Sequence, residues 1–271
     1  MAEPAPRRAL LRALGPAACG AMAGLAPAGR LSAQRSPLAQ ILQLDRLRVG
    51  IDIDGTQTAF EVTPGQPDGM AVRIADHLAI GLGLPLDLVP TTSRDGVDEL
   101  RAGRFDILIN PPPLMIELAR EVLFADAYVH LELDIVAADT VVVNSAAALA
   151  DKRIGVLAGW PLTFLRGRLP MQTLSLVSLM DRAALLVALE SNQVDGVVVN
   201  SAMASSLIQA LPTLELKVSV GECWIAPALR FGDHDLLRAV NTILYLLRGQ
   251  GVIQAMHRDF YGRPLPRLPF F

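Results

Sequence analysis

Polar side chains follow three apolar, strand-like runs of the chain, and they are the first candidates for a binding site. They are Asp52 and Asp54 after the first run, Asn110 after a later one and Asn200 after a third. Carboxylates accept hydrogen bonds and pair with cations, whereas an amide both donates and accepts. Because open α/β sheets bind ligands beyond the carboxyl ends of their strands, this pattern predicts a small-molecule site. Asp54 has a second interpretation, as a cap of the following turn.

Three consecutive prolines follow Asn110 directly, beginning with Pro111. Proline has no backbone N–H and so cannot donate a hydrogen bond. The segment after this strand is therefore poor in the donors that an anionic ligand needs.

Residues typical of catalysis or metal binding form no recognisable set. His77, His130, His234 and His257 are scattered, without a pair at the spacing of metal ligands. The sequence has no Gly-x-Ser-x-Gly motif and no phosphate-binding glycine loop. Cys223 lies in a predicted strand and is interpreted as an inert core thiol. We expect no enzyme, no metal and no cofactor.

The composition is that of a globular, mildly acidic protein. Of 271 residues, 52% are hydrophobic and 19% are charged, with a net charge of −3. A chain of this length can bury one large core or two smaller ones. No basic excess is present to bind a phosphate backbone, which argues against nucleic acid as a partner.

Residues 1–33 predict an export signal. Arg7 and Arg8 precede an apolar stretch that ends in small residues, the usual order of a signal peptide. The paired arginines favour the twin-arginine route, with an ordinary secretory signal as the alternative. Pro16 interrupts the stretch, which leaves it too short for a membrane anchor, and it also disfavours lipid attachment at Cys19. We expect a periplasmic protein whose signal is cleaved.

From Leu47 onward, strand-like runs alternate with segments of helical period, which predicts an α/β fold with mainly parallel sheets. The predicted strands are 47–53, 86–90, 105–109, 152–157, 174–176, 194–199 and 224–229. The predicted helices are 69–82, 95–103, 161–168, 181–190 and 233–261, the last broken at Gly249 and Gly251. One βαβ series is thus interrupted by a second, after which the chain returns to finish the first.

Several segments, in order, resemble the extracytoplasmic solute-binding proteins of family 3, the polar amino-acid-binding receptors of ABC importers. The resemblance covers 47–262 and rests on LRVGIDID, GMAVRIADHLAIGLGLPLDLVP, DELRAGRFDILI, FADAY, DKRIGVLAG, ALESNQVDGVVVNS and DLLRAVNTILYLLRGQGVIQAMHRDFYG. It implies the two-lobed type II periplasmic-binding-protein fold, with lobe 1 at 44–134 and 225–271 and lobe 2 at 135–224. Two strands should cross between the lobes, near 132–138 and 222–226, and a ligand should bind in the cleft.

The resemblance also implies ligand contacts, but this chain departs from them. The family arginine that holds an α-carboxylate falls on Leu118, and neighbouring donors fall on Met115 and the prolines from Pro111. Arg120 could take over after a local shift, although a solvated helix residue is the other interpretation. A carboxylate ligand would be poorly held.

Other family contacts are replaced as well. The aspartate that meets the α-ammonium group is Asn200 here, and the aromatic segment after the first strand becomes polar from Gly55 onward. The second-lobe helix start places Trp160 and Pro161 where the family has donors, and Trp160 is either an apolar plug or a stacking surface for a ligand. The predicted cleft residues are Asp54, Gly55, Asn110, Pro111, Leu118, Trp160 and Asn200.

The resemblance implies three possible functions. The first is a monomeric periplasmic receptor that delivers a small ligand, other than a standard α-amino acid, to the membrane permease of an ABC importer. The second is a degenerate receptor that binds a protein, such as a periplasmic quinoprotein dehydrogenase. The third, a remote alternative, is a lyase similar to cyclohexadienyl dehydratases.

Overall fold

The structure is a computed structural model that describes residues 36–53, 58, 60–63, 66–158, 160, 165–262 and 264–266. The predicted signal at 1–33 and the candidate residues Asp54 and Gly55 lie outside this range. Within the described part of the chain, no helix is long and apolar enough to cross a membrane.

Seven α-helices are described: α1 (Pro37–Leu44), α2 (Met70–Leu82), α3 (Gly96–Arg101), α4 (Arg182–Glu190), α5 (Ser201–Ala210), α6 (His234–Gly249) and α7 (Val252–Tyr261). Two of these helices show how the sequence specifies where a helix ends and which face it buries. Helix α2 ends at Gly83, whose φ of 68° is the left-handed conformation that glycine adopts readily. Helix α6 buries Leu236, Val240 and Leu244, which share one face of a 3.6-residue helix.

The strands are β1 (Leu47–Asp52), β2 (Phe60–Thr63), β3 (Gln66–Asp68), β4 (Leu86–Thr91), β5 (Ile107–Leu108), β6 (Val122–Phe124), β7 (Val129–Ala138), β8 (Arg153–Leu157), β9 (Ser175–Leu179), β10 (Gly196–Asn200), β11 (Leu214–Ile225) and β12 (Ala228–Arg230). The first five-stranded sheet has the order β4-β1-β5-β12-β6, and the second has the order β11-β7-β10-β8-β9. Strands β2 and β3 form a separate hairpin.

Both sheets are mixed, with two parallel and two antiparallel strand pairs in each, whereas the sequence pattern predicted mainly parallel sheets. In the first, β1 is parallel to β4 and β5, while β12 is antiparallel to β5 and β6. In the second, β8 is parallel to β9 and β10, while β7 is antiparallel to β10 and β11. Strand β10 is buried along its whole length, as expected of a strand covered on both faces.

The α/β fold class with two sheets and flanking helices is confirmed. The first sheet takes strands from both ends of the described chain, and the second takes strands from its middle. The chain leaves the first sheet between β6 and β7 and returns to it between β11 and β12. The lobe boundaries at 134–135 and 224–225 stay a prediction; the first falls inside β7 and the second at the last residue of β11.

Some predicted elements differ from those observed. The strand predicted at 224–229 is wrong as one element, because β11 ends at Ile225 and β12 begins at Ala228 in the other sheet. Pro227 lies between them and lacks the N–H needed to continue a strand ladder. The strand predicted at 105–109 keeps only Ile107–Leu108. The sequence patterns missed α1, α5, β2, β3, β6 and the first part of β11, and the helix predicted at 161–168 lies partly outside the described residues. Strand β7 covers the range 132–138, where the resemblance implied a strand, and begins three residues earlier.

Candidate functional site

A cavity of about 710 Å³ lies between α5, α7, β7 and the residues that follow β1. Its polar lining includes Thr58, Glu132, Asp134, Ser201, Ser205 and Gln209, and its apolar and aromatic lining includes Met70, Leu216, Phe260 and Tyr261. Cavities of 300–1,000 Å³ are typical of small-molecule sites. The residues come from segments distant in the sequence, so only the tertiary fold assembles them.

Two carboxylates line this cavity because they alternate along β7. Glu132 and Asp134 are two residues apart, and side chains at that spacing lie on the same face of a strand. Asp134 is fully buried, whereas Glu132 is partly exposed. Among the described residues that line the cavity, none is lysine, arginine or histidine. The titratable side chains of the described lining are therefore carboxyl groups and a tyrosine hydroxyl.

Helix α5 contributes a polar face to the same cavity. Ser201, Ser205 and Gln209 are spaced four residues apart and so lie on one side of the helix. The hydroxyl of Ser205 donates to the carbonyl oxygen of Ser201 at 2.9 Å. Hydroxyl and amide groups of this kind can donate to or accept from a polar ligand.

Asn200 holds the start of α5. Its Oδ1 accepts a hydrogen bond from the backbone N–H of Met203 at 2.9 Å, which makes Asn200 the N-cap of the helix. The side chain is buried, at 1% exposure. This candidate residue thus has a clear structural role one residue before the cavity-lining Ser201, and direct ligand contact stays a prediction.

Asn110 ties together the ends of β1 and β5. Its Oδ1 accepts from the N–H of Asp52 at 2.9 Å, and its Nδ2 donates to the Asp52 carbonyl at 2.6 Å and to the Thr58 hydroxyl at 3.1 Å. The Asn110 side chain is fully buried. It therefore fixes the position of Thr58, which lines the cavity.

Tyr128 and Ser93 also hold the residues at the ends of β1 and β5. The hydroxyl of Tyr128 donates to the carbonyl of Ile109 at 3.0 Å, and burial raises the pKa of Tyr128 well above its ordinary value. The Asp52 carboxylate accepts a hydrogen bond from the Ser93 hydroxyl. Asp52, a candidate ligand contact at the end of a strand, is thus hydrogen-bonded to a neighbouring side chain of the protein.

The remaining candidates that the structure describes are buried outside the described cavity lining. Pro111 is buried, Leu118 is 7% exposed in a short 3₁₀ helix (Leu118–Arg120), and Trp160 is 4% exposed within the apolar core. Arg120 is exposed, in agreement with a solvated residue. The burial of Trp160 fits an apolar plug, and its stacking on a ligand stays a prediction.

Sequence reasoning missed the acidic part of the cavity. The signal was present in β7, where His130, Glu132 and Asp134 alternate with buried apolar residues. Such alternation indicates a strand with one polar face. What the pattern could not supply was the partner surface on α5 and α7 that turns this face into a cavity wall.

The two histidines near the cavity, His130 and His257, contact other side chains of the protein. His130 Nε2 lies 3.3 Å from the Glu222 carboxylate on β11, and the ring of His130 lies 5.8 Å from that of Trp224. His257 is fully buried and meets Tyr261 in an edge-on arrangement at 4.9 Å. In the part of the chain that the structure describes, no group of three His, Cys, Asp or Glu residues could hold a metal ion.

Comparison with known proteins assigns the chain to a family. The sequence model of the bacterial extracellular solute-binding proteins, family 3, matches residues 47–263. The chain is 24% identical over 232 residues to the L-cystine-binding protein TcyJ of Escherichia coli (strain K12), a match that covers 83% of this chain and 86% of that protein.

Solved structures give the same picture of the fold. A solute receptor for L-cysteine of Neisseria gonorrhoeae superposes with a TM-score of 0.75 at 24% identity, covering 83% of this chain and 93% of that one. The ancestral amino acid-binding protein AncCDT-1, a precursor of cyclohexadienyl dehydratase, gives a TM-score of 0.73 at 26% identity, covering 83% and 99%. The chain belongs to the bacterial extracellular solute-binding proteins, family 3.

Proposed function

We propose that this protein is the periplasmic receptor of an ABC importer and that its ligand is not a standard α-amino acid. The observation that carries the proposal is the cavity beside α5, whose described lining holds Glu132 and Asp134 but no cationic side chain. The described lining thus offers an α-carboxylate two further carboxyl groups and no guanidinium fork to hold it.

The candidate positions for the family's amino-acid contacts support the same proposal. Leu118, at the position of the family arginine, is a buried apolar residue, so it offers a carboxylate no hydrogen-bond donor. Asn200, at the position of the family aspartate, carries no charge, and its Oδ1 accepts the Met203 N–H. Neither end of a zwitterion finds its usual partner.

A second function is favoured by a specific observation. The amides of Asn110 and Asn200 are both engaged with backbone groups, which leaves the strand ends less able to hold a small ligand. A protein-binding accessory, for example of a periplasmic quinoprotein dehydrogenase, would not need them. The lyase alternative gains support only from the similarity to AncCDT-1, and the acidic cavity argues against a carboxylate substrate.

Thermal unfolding in the presence of solutes tests the proposal. A ligand that binds only the folded state at about 100 times its dissociation constant adds about 2.7 kcal/mol, which raises Tm by roughly 5–10 °C in a protein of this size. We expect no such rise with the twenty standard amino acids or with cystine, and a clear rise with another solute class. A rise with a standard amino acid would contradict the proposal. If no solute raises Tm and a periplasmic enzyme co-purifies with the protein, the accessory function is supported instead.

A further inference from the structure

We propose that the cavity beside α5 takes a small neutral solute that carries several hydroxyl groups, such as a polyol or a monosaccharide. The proposal rests on the receptor function above and names the chemical class of its ligand. Its support comes from the hydrogen-bonding groups along α5 and from the apolar side chains that line other parts of the cavity.

Hydrogen-bonding side chains follow one another along the cavity face of α5. Ser201, Ser205 and Gln209 all line the cavity, and each lies about one turn after the one before it. At a rise of about 1.5 Å per residue, these three positions span roughly 12 Å of the helix. Several ligand hydroxyl groups can therefore be met along one wall, whereas a ligand with a single polar group would use only part of it.

The described contacts of α5 leave both donors and acceptors for a ligand. The Ser205 hydroxyl donates to the Ser201 carbonyl at 2.9 Å, so its oxygen keeps the capacity to accept. The hydroxyl oxygen of Ser206, another lining residue, accepts from Arg182 Nε at 2.7 Å, so its O–H remains to donate. The Gln209 side chain is exposed, and its amide both donates and accepts.

A neutral hydroxyl group matches this mixed set of donors and acceptors. A hydroxyl both donates and accepts, whereas an ammonium group only donates and a carboxylate only accepts. Glu132 and Asp134 also line the cavity, and both interact with other groups of the protein. A ligand without charge leaves those interactions in place.

Apolar side chains provide the other walls of the cavity. Leu216 on β11 is 50% exposed, and it lines the cavity together with Met70 and with Phe260 on α7. The C–H groups of a polyol or a sugar ring pack against such side chains while its hydroxyl groups bond to the polar ones. A volume of about 710 Å³ is sufficient for a monosaccharide.

The test uses isothermal titration calorimetry with the full chain at pH 7 and solutes matched in their carbon skeleton. One set is glycerol, 2-amino-1,3-propanediol and glycerate, which are neutral, cationic and anionic in turn. The other set has glucitol and glucose as neutral members, 1-amino-1-deoxyglucitol as the cation and gluconate as the anion. We expect a neutral member of at least one set to bind more tightly than its charged counterparts, with a Kd that added salt leaves nearly unchanged.

Variants connect binding to the polar face of α5. Ser205→Ala and Gln209→Ala each remove one hydrogen-bonding side chain from an exposed position of the helix, where alanine is well tolerated. A hydrogen bond between neutral groups makes a modest net contribution, so each variant should raise the Kd of the neutral solute roughly 2- to 10-fold.

Ser191→Ala and Gln193→Ala are the matched controls, at exposed positions outside the described cavity lining. The Ser191 hydroxyl donates to the carbonyl of Val187, four residues earlier, at 2.6 Å, as the Ser205 hydroxyl does within α5. Neither control should change the Kd.

The outcomes separate the two proposals. Tighter binding of a cation or an anion than of every neutral solute, or neutral-solute binding that both α5 variants leave unchanged, overturns the polyol inference while the receptor function holds. The same conclusion follows if no neutral solute of the panel binds but another solute raises Tm in the thermal screen. Absence of binding by any solute in this panel and in the thermal screen overturns the receptor function itself.

Discussion

The amide of Asn110 joins the ends of two neighbouring strands through the backbone of Asp52. Asn110 Oδ1 accepts the Asp52 N–H at 2.9 Å and Nδ2 donates to the Asp52 carbonyl at 2.6 Å, while the side chain is fully buried. The sequence proposed Asn110 as a ligand contact; the structure gives it a bracing role that also places Thr58 in the cavity wall.

Asn110→Ala should destabilise the fold by about 2–3 kcal/mol, because it leaves buried backbone groups of Asp52 without these bonds. Urea unfolding followed by circular dichroism measures the change. Asn144→Ala, at an exposed asparagine, is the matched control and should change stability by less than about 0.5 kcal/mol. Equal stability of the two variants would show that the amide does not hold the strand ends.

Asn200→Ala should cost about 1 kcal/mol, because it removes the N-cap of α5. Asn200→Asp keeps an oxygen that can accept the Met203 N–H, and its negative charge lies at a helix N-terminus, where it is favoured. This variant should lose less stability than the alanine variant in the same urea experiment. If aspartate proves as destabilising as alanine, capping is not the role of this residue.

Asp106→Asn should destabilise the fold by about 2 kcal/mol, because it removes the charge of a buried carboxylate from its ion pair with the partly exposed Arg48. The Asp106 carboxylate accepts from the Arg48 side chain at 2.6 and 3.2 Å and from the Arg48 backbone N–H at 3.1 Å. It is only 2% exposed. Thermal and urea unfolding both report the loss.

The matched control for Asp106 is Asp98→Asn. The Asp98 carboxylate is 83% exposed and lies 3.5 Å from the Arg101 guanidinium, so its removal should leave stability within about 0.5 kcal/mol of the parent. A similar loss in both variants would show that burial does not decide the strength of these pairs.

Asp195 predicts a pH-dependent contribution to stability. The Arg153 side chain donates to its carboxylate at 2.7 and 3.2 Å, and these bonds hold the pKa of Asp195 below its ordinary value. A carboxyl group with a lowered pKa in the folded state stabilises the fold above its unfolded-state pKa. That contribution is lost as the pH falls through the folded-state pKa.

Asp195→Asn should therefore be less stable than the parent at pH 7, and the difference should shrink as the pH falls below about 4. Urea unfolding across this range provides the measurement. Asp139→Asn, at an exposed aspartate that directly follows β7, serves as the control and should change stability by less than about 0.5 kcal/mol at pH 7. A difference that persists or grows in acid would contradict the assigned role of the Arg153 contact.

Local signals explain which elements the sequence predicted well. Helix α2 has apolar residues at helical spacing and a glycine at its end, and both features act within a few residues of the chain. The pairing of β7 with β10 and β11 has no such local signal, because the partner strands lie more than sixty residues away in the sequence. Pro227 is a local signal for the end of β11, but the placement of β12 in the other sheet depends on its pairing with β5 and β6.

The sequence by itself determined the alternation of strands and helices and the resemblance to a family of receptors, and it predicted that Leu118 and Asn200 replace charged contacts of that family. Only the tertiary structure decided that Asn110 and Asn200 brace the backbone, and that Glu132 and Asp134 on β7 face the serines of α5 across a cavity. The physical reason is that periodicity and capping are encoded over a few neighbouring residues, whereas hydrogen-bond partners and cavity walls are set by the packing of distant segments.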